Sequence, residues 1–147
     1  MIRLAATADL GAIDTIVADA YAPYIQRIGK PPAPMLDDYR HRIAKGQAWV
    51  MDIDGAIAGL VVLEDTADGL LLDNVAVTPA LHGSGIGRQL NAFAGSEAVR
   101  RGHATIRLYT HVLMAENVAR YQRLGFTETA RITQHGYDRV IMARPAG

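Results

Sequence analysis

Three glycines at alternate positions, Gly83, Gly85 and Gly87, follow the β-branched run Val75-Ala76-Val77-Thr78 and open an amphipathic helical pattern. A strand that passes through a loop into glycines at a helix start reads as a cradle for a pyrophosphate. Glycine removes the side chains that would hold a ligand off the backbone, and the first turn of a helix leaves N–H groups without intrahelical partners. With the positive end of the helix dipole, those donors suit a phosphate. Spacing excludes two common cofactor loops. A Walker loop requires Gly-Lys-Ser/Thr after the fourth intervening residue, whereas Gly87 precedes Arg88 and Gln89. A dinucleotide fingerprint requires its third glycine three residues after the second, where Arg88 stands.

A second chemical segment runs from Met114 to Thr129 and contains Asn117, Tyr121, Leu124, Gly125 and Phe126. A phenol near its reference pKa of about 10 stays protonated at neutral pH and can give a proton to a thiolate. Read from spacing alone, Tyr121 is an ordinary half-buried helix tyrosine. Asp73 and Asn74 interrupt an otherwise apolar strand and need an explanation, and His111 ends the strand that follows.

These two segments together resemble the GNAT N-acetyltransferase superfamily. The run His82, Gly83, Ser84, Gly85, Ile86, Gly87 is similar to its acyl-CoA pyrophosphate pattern Gln/Arg, any, any, Gly, any, Gly/Ala, with histidine in the first place. Tyr121, Leu124, Gly125 and Phe126 are similar to its late helix and strand, Tyr, two residues, Leu, Gly, Phe/Tyr. The likeness spans nearly the whole chain, and the stretch Tyr21 to Met35 resembles a subgroup of small bacterial members. It implies acetyl-CoA as acyl donor and Tyr121 as the acid that protonates the leaving CoA thiolate. It also implies that the backbone of Val75, Ala76 and Val77 pairs with the pantetheine arm, one N–H facing the thioester oxygen. His82, Gly83, Ser84, Gly85, Ile86, Gly87 and Arg88 become the cofactor loop. Asn117, one helical turn before Tyr121, joins the cofactor residues; many members carry asparagine where Met114 stands here.

For a base that takes the proton of an amine, Asp73, His111 and Glu64 are the candidates, with a water chain as the alternative. Each has a plainer reading: a carboxylate bonded to backbone for Asp73, a solvated loop imidazole for His111. His82 either donates to a phosphate or is an exposed loop side chain. Tyr21 and Tyr24, with the proline-rich loop after them, are expected to wall an acceptor pocket, and Asp37 and Asp38 would attract a cationic amine. Packing explains the tyrosines too.

Composition bounds the rest. One domain spanning 1–147 is expected, large enough to bury roughly 68–70% of its unfolded surface. The chain has no cysteine, which removes disulfides and a thiol nucleophile and fits the reducing cytoplasm. Fifteen basic and fifteen acidic residues cancel, so the footprint of sequence-independent nucleic-acid binding is missing, and self-association to a homodimer is permitted. No apolar run approaches the roughly 20 residues of a membrane span. The five histidines show no paired ligand spacing, so no metal is expected.

The elements that must position these groups follow from periodicity. A first strand, Ile2 to Ala5, precedes a helix with Thr7 as its N-cap and Pro23 at its end. After a loop at 29–34, a helix from Leu36 to Lys45 stops at Gly46. Trp49 to Ile53 and Ala56 to Leu63 form a hairpin about Asp54-Gly55. Leu70 to Val77 is a buried central strand, followed by a helix with the stripe Ile86, Leu90, Phe93, Ala94. Ala104 to Thr110, a short helix from Ala115 to Leu124, and the hairpin Phe126 to Thr133 with Tyr137 to Ala143 complete the chain. The class is α/β, strictly α+β: a mixed, mostly antiparallel sheet of about six or seven strands flanked by about four helices.

The expected activity is direct transfer of acetyl from acetyl-CoA to a primary amine of a small molecule. Protein N-termini or lysines are alternative acceptors. A non-catalytic acyl-CoA sensor and a nucleotide-binding interaction domain are the rival classes.

Overall fold

Alternating and continuous apolar runs become seven strands, and the 3.6-residue stripes become four helices, in a computed structural model that describes residues 1–147. The strands are β1 (Ile2–Leu4), β2 (Ala48–Ile53), β3 (Ala56–Thr66), β4 (Gly69–Val77), β5 (Thr105–His111), β6 (Thr127–Gln134) and β7 (Tyr137–Pro145). The helices are α1 (Leu10–Ile28), α2 (Tyr39–Ala44), α3 (Ile86–Arg100) and α4 (Ala115–Arg123). The strands hydrogen-bond in the order β1-β2-β3-β4-β5-β7-β6. Pairing is antiparallel for β1–β2, β2–β3, β5–β7 and β6–β7, and parallel for β4–β5.

The chain forms two compact units, Met1–Leu63 with Asn74–Asn91, and Glu64–Asp73 with Ala92–Gly147. In the first, Ile13, Ile16 and Val17 of α1 are buried, as are Val50 of β2, Leu60 to Leu63 of β3, and Ile86 and Leu90 of α3. Gly59 allows the close approach there: a Cβ on it would lie 3.0 Å from Leu90 Cδ1 and 3.2 Å from the Ala76 carbonyl oxygen. Asp54 and Gly55, with φ of 52° and 87°, make the expected two-residue hairpin turn.

Three local expectations differ from the structure. Helix α1 does not stop at Pro23 but runs on to Ile28, where Gly29 caps it at φ 90° with its N–H on the Ile25 carbonyl (2.8 Å). A proline removes a single N–H bond, and Pro23 is exposed, so the buried face of Ile13, Ile16, Val17 and Tyr21 and the left-handed cap outweigh it. Thr7 is not the N-cap. It lies in a single 3-10 turn, and the Asp9 carboxylate takes the Ala6 N–H (2.7 Å) together with the Arg3 guanidinium (2.8 and 3.1 Å). That guanidinium holds the Asp9 carboxyl below its usual range. The second helix is shorter than expected because Asp38 caps it, accepting the His41 N–H, while Ala33–Leu36 forms a separate 3-10 turn.

In the second unit, Ile106 and Leu108 of β5, Val140 and Met142 of β7, Phe126, and Ala94 and Ala98 of α3 form the core. Phe93, expected in the buried stripe, is only half-buried, and Ala98 takes the next place in the row.

Candidate active site

In the first unit, β4 leaves the sheet at Val77, makes a 3-10 turn over Pro79–Leu81, and enters α3 through His82 to Gly85. Gly83 and Gly85 have φ of 82° and 90°, left-handed values that L side chains rarely adopt, and a Cβ on either would meet nothing within 4 Å. The Gln89 N–H is the first of the helix to bond back, onto the Gly85 carbonyl (3.0 Å), so the N–H groups of Ile86, Gly87 and Arg88 have no intrahelical acceptor. Open glycine backbone, unengaged donors and the positive helix end fit a pyrophosphate. Braces hold this shape: His82 Nε2 donates to the Val77 carbonyl (2.9 Å), and Ser84 Oγ donates to the Leu81 carbonyl. The His82 ring therefore serves the loop itself, while the Arg88 side chain is exposed beside it.

Behind β4 lies a buried polar chain. Tyr21 Oη donates to Asn74 Oδ1 and lies 3.3 Å from the Val75 carbonyl oxygen; Asn74 Nδ2 donates to Tyr39 Oη (2.9 Å), which donates to the Pro34 carbonyl. Tyr21 is 7% exposed, so its hydroxyl ties α1 to β4 and, through Tyr39, to the proline-rich loop. Tyr24 is half-buried, with the Arg27 guanidinium 5.1 Å from its ring centroid.

In the second unit, β4 and β5 pair only at Leu70↔Ile106 and Leu71↔Arg107, although β5 continues to His111. Directly opposed residues share a face, and β7 sets His111 against Arg139 and Tyr109 against Ile141. One face of this sheet thus carries Tyr109, His111, Tyr137 and Arg139. Tyr109 Oη donates to Asp73 Oδ1 (2.7 Å), and the Arg139 guanidinium lies 4.2 Å from the Tyr109 ring centroid. The His111 ring meets Tyr137 edge-on at 6.1 Å. His111 Nδ1 accepts the Leu113 N–H (3.0 Å), so a neutral ring carries its hydrogen on Nε2.

Tyr121 sits near the end of α4, its ring edge-on to Phe126 at 5.7 Å. The Phe126 N–H bonds back to the Tyr121 carbonyl (3.0 Å) across Gly125 at φ 96°, which ends the helix and buries Phe126 to 1% exposure. Tyr121 is half-buried, and desolvation of its hydroxyl pushes its pKa up to about 12, against a smaller opposing pull from Arg120. Asn117 Oδ1 accepts from Arg120 (3.2 Å) within the same helix.

Residues 44–128 match the family model of the acetyltransferase (GNAT) domain. The chain belongs to the GNAT acetyltransferase family. Over 99 residues this GNAT chain is 33% identical to the ribosomal protein bS18-alanine N-acetyltransferase of Escherichia coli strain K12, a match that takes in 63% of the chain and 66%, just under two thirds, of that relative's length. The crystal structure of the ribosomal-protein-S18-alanine N-acetyltransferase from Escherichia coli aligns with a TM-score of 0.77 at 26% identity, over 100% of this chain and 94% of that one. The PaiA N-acetyltransferase from Thermoplasma acidophilum, solved in complex with coenzyme A, aligns with a TM-score of 0.79 over 99% and 98% of the two chains, at 19% identity, a likeness of fold.

The sequence of the GNAT chain singles out the glycine loop and Tyr121 as candidates and passes over Tyr39, Tyr109, Tyr137 and Arg139. For Tyr109 the signal is the strict alternation of Arg107, Tyr109 and His111 with Ile106, Leu108 and Thr110, which marks one polar and one apolar face of β5.

Proposed function

We propose that this GNAT chain, acting as one domain, is an acetyl-CoA-dependent N-acetyltransferase that transfers acetyl directly to a primary amine, with a small molecule as acceptor. The observation that carries the reading is the open glycine loop, with two left-handed glycines and unengaged N–H donors at the start of α3. Acetyl-CoA supplies an electrophilic thioester carbonyl and a thiolate leaving group. The loop from Gly83 to Arg88 holds the pyrophosphate, and the backbone of Val75 to Val77 receives the pantetheine arm as in the family. As the N–C bond forms and the C–S bond breaks, the departing electron pair on sulfur takes the proton held at Tyr121 Oη. The proton lost by the amine passes to the Asp73 carboxylate, oriented by Tyr109, or to water beside it. Amide and free thiol are the products. Burial keeps the Tyr121 proton in place until delivery, since its raised pKa leaves it neutral across the working range.

A second acceptor class, the α-amine of a protein N-terminus, is favoured by one observation: the 33% identical relative is named for an alanine of ribosomal protein bS18. Thiol release from acetyl-CoA in the presence of small amines, and separately of peptides with a free N-terminus, separates the two. The chain has no cysteine to add a background thiol. Turnover with either class supports the reading. Tight acetyl-CoA binding with no turnover on any amine would replace it with a sensor of acyl-CoA.

A further inference from the structure

Arg139 is a buried cation with no counter-ion. It is 8% exposed and makes no ion pair; its side-chain hydrogen bond runs from Nη1 to Gln134 Oε1 (2.8 Å), a neutral acceptor. Burying a charge without an ionic partner opposes folding, and an apolar side chain of similar volume ordinarily serves a fold as well or better. Stability alone does not account for an arginine here.

What the cation rests on supplies a reason. The β5–β7 register opposes His111 to Arg139 and Tyr109 to Ile141, so Arg139 and Tyr109 are diagonal neighbours on one face, and the guanidinium carbon lies 4.2 Å from the Tyr109 ring centroid. Tyr109 carries that contact on to β4. The β4–β5 ladder ends at Leu71↔Arg107, and two residues further along each strand stand Asp73 and Tyr109, joined by the bond from Tyr109 Oη to Asp73 Oδ1 (2.7 Å). Where backbone pairing stops, the phenol spans the gap. A tyrosine side chain turns about two torsions, and a cation attracted to the ring face by its quadrupole restrains both. Arg107, on the same face, is directed to Asp68 (3.4 Å), which leaves Arg139 as the cation on this ring. A guanidinium in direct contact with a carboxylate would engage it in an ion pair and make it a poorer proton acceptor. Acting through the phenol, Arg139 orients the carboxylate without pairing with it.

We propose that Arg139 is a positioning residue for proton transfer: stacked on Tyr109, it fixes the phenol that holds the Asp73 carboxylate for the proton of the acceptor amine. This rests on the acetyl-transfer reading above and deepens it.

The test compares Arg139→Met, Arg139→Lys and Tyr109→Phe with the double variant that joins Arg139→Met to Tyr109→Phe. Loss of an unpaired buried charge should leave the urea midpoint of Arg139→Met near that of wild type, while kcat falls about tenfold and acetyl-CoA affinity is unchanged. Arg139→Lys keeps a cation for the ring and should hold kcat within about threefold of wild type. In the Tyr109→Phe background the group being positioned is already gone, so Arg139→Met should cost less than about twofold. An unchanged kcat in Arg139→Met, a collapse of its fold, a Lys variant as slow as the Met variant, or an equal loss with and without the Tyr109 hydroxyl overturns the proposal. A second readout needs no turnover: the ¹³C resonance of Tyr109 Cζ, assigned by its loss in Tyr109→Phe. Asp73→Asn should move it in the wild-type chain and much less in Arg139→Gln, and an equal response in both also overturns the proposal. That dependence on Arg139, found in a chain that turns over no amine, would support the stack and remove the acetyl-transfer reading instead.

Discussion

Between Gly83 and Arg88 the chain offers a ligand its backbone; on the sheet face from Asp73 to Arg139 it offers side chains. In the first region nothing chemical protrudes, and the working parts are N–H groups, a helix dipole and two glycine φ angles. In the second the parts are a carboxylate, two phenols, an imidazole and a guanidinium, brought together by strand register across separate stretches of chain. A backbone site is damaged by adding atoms, and a side-chain site by removing them. The two regions should therefore respond to opposite kinds of substitution, and to different steps of the reaction.

The largest effect is expected at Tyr121. Tyr121→Phe keeps the ring against Phe126 and removes the acid, so kcat should fall by about 10²–10⁴ with acetyl-CoA affinity unchanged, as read by thiol release and by calorimetry. The same group sets an alkaline limit. The protonated phenol is the active form and its pKa is pushed up to about 12, so kcat should show no tyrosine-dependent fall near pH 10, where an ordinary phenol would be half ionised.

Next is Tyr109→Phe, which retains the ring beneath Arg139 and removes the donor to Asp73. A fall in kcat of about tenfold with little change in acetyl-CoA binding would tie the sheet face to the chemical step. A loss of acetyl-CoA binding instead would erase the distinction between the two regions.

Stability gives a smaller effect. The Asp9 carboxyl is held low, first by its hydrogen bonds to Arg3. A depressed folded-state pKa contributes stability above the unfolded value of about 3.9 and loses it as pH falls through the folded value. Asp9→Asn should cost about 1–3 kcal/mol near neutrality and flatten the loss of stability below about pH 4, measured by urea unfolding across pH. The smallest change is expected for His111→Asn. With Nδ1 already engaged by the Leu113 N–H, turnover should stay within about threefold of wild type. A hundredfold loss would return His111 to the role of base.

The contrast also explains what could be read in advance. The glycine loop, the Asp54-Gly55 turn and the order of strands and helices depend on residue types within a few positions of one another, so the sequence displays them directly. The reach of α1 beyond Pro23 was hidden because the burial of Ile13, Ile16, Val17 and Tyr21 against other elements outweighs a local breaker. Arg139 and Tyr109 lie thirty residues apart in the sequence and meet only through the β5–β7 register, which no local pattern specifies. Asn74 was visible as an odd residue in an apolar strand, but its partners, Tyr21 and Tyr39, come from elements whose packing decides the match.

The most direct measurement is calorimetric titration of acetyl-CoA into the wild-type chain and into Gly85→Asp and Gly85→Asn. Asp and Asn both tolerate left-handed backbone, so the pair places a negative or a neutral side chain in the same open space without differing in strain. A backbone cradle for pyrophosphate predicts binding by the wild type, a loss of about a hundredfold in Gly85→Asp, and a much smaller loss in Gly85→Asn. No binding by the wild type up to millimolar ligand, or equal losses in the two variants, would contradict it.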